Sequence, residues 1–186
     1  MRTLLHAFLA AGAIALIAAA PPVSRAIDPA HSTATFSVQH IFVSNVVGSV
    51  PIIDGRVTLA PGTRVPTSVT ATLDPSGIAT GDRDRDAALR GEDWFDVARY
   101  PHWTFASTTI SRTATGFIMD GVLTIHGVSR PEHLEVSVAG SAEHPIYHAS
   151  GKIDRHAFGM RVVRLDPVIG NPVTIALDIV LAPPGI

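Results

Sequence analysis

The chain has 186 residues, with 14 Lys and Arg against 16 Asp and Glu, nine His and a formal net charge of −2. That length suits one domain with a sizeable core, and the slightly acidic balance excludes the basic face that nucleic-acid binding needs. With no cysteine, the chain has no disulfide framework, no thiolate nucleophile and no Cys-based metal site.

Residues 1–26 read as a cleavable signal peptide. Arg2 gives a positive start, residues 4–20 form an uncharged apolar run, and Ser24-Arg25-Ala26 fits a small-x-small cleavage site. The cut is expected after Ala26, leaving residues 27–186 as one exported domain, periplasmic or secreted. Cleavage after Ala20 would put Pro21 first and is the less favoured site. The rival reading is an uncleaved membrane anchor, for which the run is about the minimum length.

Beyond the leader, apolar residues alternate with polar ones. Ala34, Phe36 and Val38 alternate with Thr35, Ser37 and Gln39, and the same period recurs at Val69, Ala71 and Leu73, at Leu134, Val136 and Val138, and at Ile175, Leu177 and Ile179. Period two gives each strand one apolar and one polar face. About eight strands are predicted, near 33–41, 46–60, 67–74, 102–111, 115–126, 132–139, 146–157 and 172–181. Turn residues separate them, including Pro61-Gly62, residues 127–131 and Gly170-Asn171-Pro172. Pro51 inside the second run requires an edge, a bulge or a bend there. Such strands build a sandwich or an up-and-down barrel, and periodicity alone does not separate the two.

One helix interrupts this pattern, at residues 83–91. Asp82 can cap it and Gly91 can end it, while Asp84, Asp86 and Arg90 suit its dipole. It is too short to be stable alone, so it must dock. Leu89, Trp94 and Phe95 are the residues able to pin it, and its expected role is to close one end of a barrel.

The ordered motifs of the chain resemble the YceI-like family of exported, polyisoprenoid-binding proteins. The resemblance rests on Ile27-Asp28-Pro29-Ala30-His31-Ser32 with Phe36-Ser37-Val38-Gln39-His40, then Gly48 and Asp54-Gly55. It continues in Arg85-Asp86-Ala87-Ala88-Leu89, Asp93-Trp94-Phe95-Asp96-Val97, Tyr100-Pro101 and Phe105-Ala106-Ser107-Thr108. It ends in Gly121-Val122-Leu123-Thr124-Ile125-His126-Gly127-Val128, Pro131 and Phe158-Gly159-Met160. Three positions depart from the family's pattern: Ala88 stands where many members carry His, Trp94 replaces Phe, and Val50 replaces an aromatic. The resemblance implies an all-β fold, an eight-stranded antiparallel lipocalin-like barrel with the short helix closing an end. It also implies an apolar tunnel for an isoprenoid or similar lipid, and a homodimer.

Candidate ligand-binding residues follow from both lines. Phe36, Val38, Val69, Leu73, Phe105, Leu123, Ile125, Val136, Ile175 and Leu177 are the inward candidates, Leu89, Trp94 and Phe95 belong to the lid, and Phe158 and Met160 come from the late motif. For each strand residue, ordinary core packing is the plainer reading. The expected ligand is an isoprenoid, a quinone precursor or a fatty-acyl chain, reached through transient membrane contact. Each buried methylene contributes about 0.8 kcal/mol before ordering costs. A phosphate head would want Arg83, Arg85 or Arg90 on the lid, or Arg155 or Arg161 late in the chain, although a solvated face explains each as well.

The competing class is a metal-dependent exported enzyme with a cupin-like barrel, argued from the histidines. His144 and His148 have ligand-like spacing, but on a strand they would lie about 13 Å apart. HExxH, G-x-S-x-G and a Gly-rich phosphate loop are all absent from the sequence. A pocketless sandwich acting as an interaction module is the third reading. The sequence therefore predicts a carrier with no catalysis, cofactor or metal.

Overall fold

A computed structural model describes residues 20–41, 44–161 and 164–183. Residues 1–19, which hold most of the expected leader, lie outside them.

Ten strands form one antiparallel sheet. They are β1 (Val23–Ala26), β2 (Thr33–His40), β3 (Ser44–Ser49), β4 (Ile52–Leu59), β5 (Pro66–Leu73), β6 (Trp103–Arg112), β7 (Gly116–Ile125), β8 (Val128–Gly140), β9 (Pro145–Asp154) and β10 (Ile169–Val180). Their order across the sheet is β1-β4-β5-β6-β7-β8-β9-β10-β2-β3. From β4 to β10 the chain therefore meanders between sequence neighbours. Among the described residues, one helix, α1 (Arg83–Arg90), and two 3-10 turns at Pro75–Gly77 and Arg155–Phe158 accompany the sheet.

The sheet curls until β1, at one edge, reaches the end of β10, which is followed in the sheet by β2 and the other edge strand β3. Ile27, just past β1, forms a bridge with Leu181, just past β10. Asp28 N donates to Val180 O at 2.8 Å, and Ala182 N to Ala26 O at 2.9 Å. Arg25 seals the junction from a buried position, donating to Ala182 O at 2.7 Å and to Glu143 O at 2.6 Å.

The strand count corrects the expected eight. The predicted run 46–60 is two strands, because the chain turns at Val50-Pro51 and changes partners: β3 pairs with β2, and β4 with β5. Proline lacks the N–H needed to continue a ladder. The tenth strand is β1, which lies within the expected leader and pairs with β4 from Val23↔Leu59 to Ala26↔Arg56.

The turn predicted at 127–131 shrinks to two residues. His126 (φ 52°) and Gly127 (φ 70°) link β7 to β8, a tight hairpin with both central residues at positive φ. β8 therefore contains Pro131. β8 pairs with β9 only between Glu135–Gly140 and Pro145–Ser150, so near Pro131 one side of the strand is unpaired, which is where proline is tolerated. A side chain on Gly127 would bring its Cβ within 2.4 Å of the Tyr100 ring, which also packs edge-on against His126.

Inward residues gather in two apolar clusters. One fills the end of the barrel remote from α1, with Ile27, Val57, Phe117, Met119, Leu134 and Tyr147. The other lies beneath α1, with Val50, Ile78, Phe95, Trp103, Ile125 and Phe158.

Two outcomes test this description. Gly127→Ala is expected to lower unfolding stability by roughly 1–3 kcal/mol, through backbone strain and the clash with Tyr100; equilibrium urea unfolding measures it. A chain starting at Ile27 is expected to be less stable by roughly 2–4 kcal/mol than one starting at Pro21, since it loses the β1 ladder and the bonds of Arg25. Equal urea midpoints would mean that β1 is dispensable.

Candidate ligand-binding site

The curled sheet is not filled by its own side chains. Between the two clusters it encloses a cavity of about 380 Å³, within the size range of small-molecule sites. The wall is almost wholly carbon, because it is made mainly of the apolar alternate residues of β2–β10, with Leu89, Trp94 and Phe95 from the lid.

Of the predicted residues, Phe36, Val38, Val69, Leu73, Phe105, Leu123, Ile125, Val136, Ile175 and Leu177 all lie on this wall, as do Leu89, Trp94, Phe95 and Met160. Phe158 does not. It is fully buried in the cluster beneath α1, where it packs behind the wall. Val50, one of the departures from the family pattern, and Ala88 also border the cavity. Phe117, Met119 and Tyr147 line it too but were not among the candidates. They share the strand parity of Leu123 and of Ala149, which is the signal that could have found them.

No residue of α1 is fully buried; Leu89 packs part-buried against the cluster below, and polar bonds supply most of the lid's other contacts. Asp82 Oδ1 caps the helix by accepting from the amides of Asp84 and Arg85, both at 3.0 Å. Thr80 donates through its amide and hydroxyl to Asp86 Oδ1 at 2.9 and 2.6 Å, and accepts from Arg85 Nε at 2.8 Å. Arg90 Nε reaches Ser76 O at 2.6 Å. Backbone bonds between Ser49 and Ala79 tie this segment to β3. Below it, the rings of Phe95 and Trp103 pack edge to face at 4.7 Å. Trp103 Nε1 is buried there with no acceptor among the described residues.

The arginines divide into two kinds. Arg83 and Arg161 are exposed. Arg155, expected on a solvated strand face, is instead 3 % exposed in the 3-10 turn after β9. It donates to Met160 O, Ile169 O, Gly170 O and Asp166 Oδ1, at 2.7 to 3.0 Å. A guanidinium so fully engaged braces the chain between β9 and β10 and leaves little for a ligand head group.

The histidines are dispersed. His31, His133 and His148 each pair with one aspartate, Asp28, Asp120 and Asp178. His156 shares Asp166 with Arg155. His144 lies in the turn before β9 and His148 on the strand itself. Among the described residues no three metal-ligating side chains converge.

The model of the YceI-like domain family matches residues 26–181. The chain belongs to the YceI-like family. The match covers every strand but most of β1. Protein YceI of Escherichia coli O17:K52:H18 is 28% identical over 137 residues, spanning 70% of this chain and 72% of that protein. Among solved structures, Burkholderia cenocepacia BcnA has a TM-score of 0.76 at 24% identity, covering 84% of this chain and 99% of its own. A polyisoprenoid binding domain from Saccharophagus degradans has a TM-score of 0.67 at 15% identity, covering 86% and 98%. At these identities the two structures show a common YceI-like fold.

Asp166 supplies a pH test of the brace behind the cavity. Its hydrogen bond from Arg155 holds its carboxyl below the usual 3.8. A lowered folded pKa contributes stability that is present above the unfolded value and lost as pH falls through the folded one. Wild type is therefore expected to lose stability on acidification below pH 3.8 more steeply than Asp166→Asn, which starts from a lower plateau. Urea midpoints measured from pH 2 to 7 compare the two slopes.

Proposed function

We propose that this protein is a non-catalytic carrier that sequesters an isoprenoid, or a similar long-chain amphiphile such as a quinone precursor or fatty-acyl chain, outside the cytoplasm. The observation that carries this reading is the cavity itself: a carbon-walled space of about 380 Å³ at the centre of a small domain. An unfilled apolar interior is destabilising to the empty protein, and an apolar chain offsets that by occupying it. The polyisoprenoid-binding neighbour from Saccharophagus degradans supports the same ligand class.

The reading includes export. The favoured cleavage site moves from Ala26 to Ala20, because β1 begins at Val23 and Arg25 is buried at the seam. Loading takes place by transient contact with the membrane. A homodimer is part of the same reading, supported by the apolar exposure of Val47 on the edge strand β3.

Native mass spectrometry of detergent-free protein, followed by organic extraction, tests the carrier. A near-stoichiometric mass loss is expected, with an isoprenoid or acyl species in the extract. Leu123→Trp, which adds bulk to the wall near the end of β7, is expected to reduce bound lipid at least about tenfold while keeping a cooperative melt. Lipid occupancy unchanged by that substitution would place the ligand elsewhere. Sequencing the N-terminus of the exported protein tests the cut, with Pro21 expected as the first residue.

A further inference from the structure

The cavity wall has one group that the lipid reading leaves unexplained. Glu132 lies on β8 with the parity of Leu134 and Val136, so its side chain is turned to the interior, and it borders the cavity. Trp103 Nε1, also without a partner among the described residues, is a donor rather than an acceptor, and the remaining polar residues there have partners within the protein. Thr35 donates to Ala176 O, Tyr147 to Arg64 O, and Arg85 to Thr80. Arg155 is saturated as described above, and His40 also has an interaction of its own. No described residue donates a hydrogen bond to Glu132.

The position of Glu132 is unusual as well. Its neighbour across the ladder is Gly121, which contributes no side chain. The space a side chain would take there is filled by the Phe105 ring, whose Cζ lies 2.3 Å from the Cβ position. On the other side, the ladder between β8 and β9 begins only at Glu135. Glu132 thus borders both the cavity and a shallow outer depression with Asp120, His133 and Lys152. Burial, and after it the charge of Asp154, raise its pKa. A carboxyl turned into an apolar space without a partner is destabilising to the empty protein. Valine or leucine would have continued the wall.

We propose that Glu132 is a specificity-determining residue of the cavity, accepting a hydrogen bond from a hydroxyl or amino group carried by the bound amphiphile. The ligand class narrows accordingly, to a long apolar chain bearing a donor, against chains whose only polar group is an anion. The inference rests on the carrier reading. The carboxyl lies between Val128, packed with the cluster beneath α1, and Leu134 of the opposite cluster, so the donor sits partway along the cavity. An anionic group there would meet a carboxyl, and the arginines on the wall, Arg85 and Arg155, are already engaged by the protein.

Calorimetric titration of delipidated protein with dodecylamine, 1-dodecanol and dodecanoate tests this. Wild type is expected to bind the amine and the alcohol at least about tenfold tighter than dodecanoate. Glu132→Leu is expected to abolish that order, mainly by losing the donors' affinity. Glu132→Gln, isosteric and still an acceptor, is expected to keep the preference for alcohol and lose that for amine. Both substitutions remove a partly buried carboxyl, and thermal melts check that they fold. Binding of all three probes in an order unchanged by either substitution overturns the role of Glu132 and leaves the carrier standing. Binding of none by wild type overturns both.

Discussion

An antiparallel sheet with one apolar face must bury that face, and here it does so against itself. The constraint acts at the seam. β1 is four residues long, yet it brings the first strand of the sheet to Ile27, and Ile27 meets Leu181. Arg25 is the polar complement of that meeting. The carbonyls of residues 181 and 182 lie beyond the last ladder bond of β10, where a buried acceptor without a donor is costly. One guanidinium with a fork of donors satisfies them and Glu143 O together. Closure fixes the curl so that strands on opposite sides of it face one another across an interior volume.

The lid obeys a different economy. α1 is too short to persist alone and buries none of its residues. What fixes it is a net of charge-assisted bonds, from Asp82, Asp86, Arg85 and Arg90 to nearby backbone and Thr80, with Phe95 packed into the cluster below. Such bonds exchange readily with water and each contributes modestly. A cap held this way can be displaced without exposing a large apolar surface of its own. The seam is the opposite case, made of ladder pairs and a buried arginine. The end capped by α1 is thus the weaker closure, and the physical cost of ligand entry is lowest there.

Much of this was legible in the sequence because the code for a curled sheet is local. Alternation at Phe36-Val38, Leu134-Val136 and Ile175-Leu177 assigns faces directly, and the capping pattern of Asp82 with Gly91 located α1 within one residue. Where the reading stopped short, the determinant was nonlocal or was overridden. Val23–Ala26 has the small-residue look of a cleavage site, and only the partner strand β4 makes it a strand. Arg155 looked like a solvated charge because nothing near it in sequence announces four acceptors converging from residues 160–170. Phe158 shares a motif with Met160, but it points behind the wall. Pro131 suggested a turn, since the unpaired side of β8 that accommodates it is a property of the sheet.

Glu132 combines both situations. Its parity was readable, yet in a strand predicted to begin at residue 132 a charged first position passes as the solvated end of the element. The structure extends β8 back to Val128 and makes the same residue an interior one. An apolar cavity gains affinity from every methylene it buries and so discriminates weakly among chains of similar length. A single partly buried polar group on such a wall changes that balance, because it penalises ligands that leave it unpaired. In the proposed carrier, selectivity would therefore depend less on the many residues that line the cavity than on the few that interrupt its carbon surface, and the stability given up to keep a carboxyl there would be recovered when a ligand with a matching donor is bound.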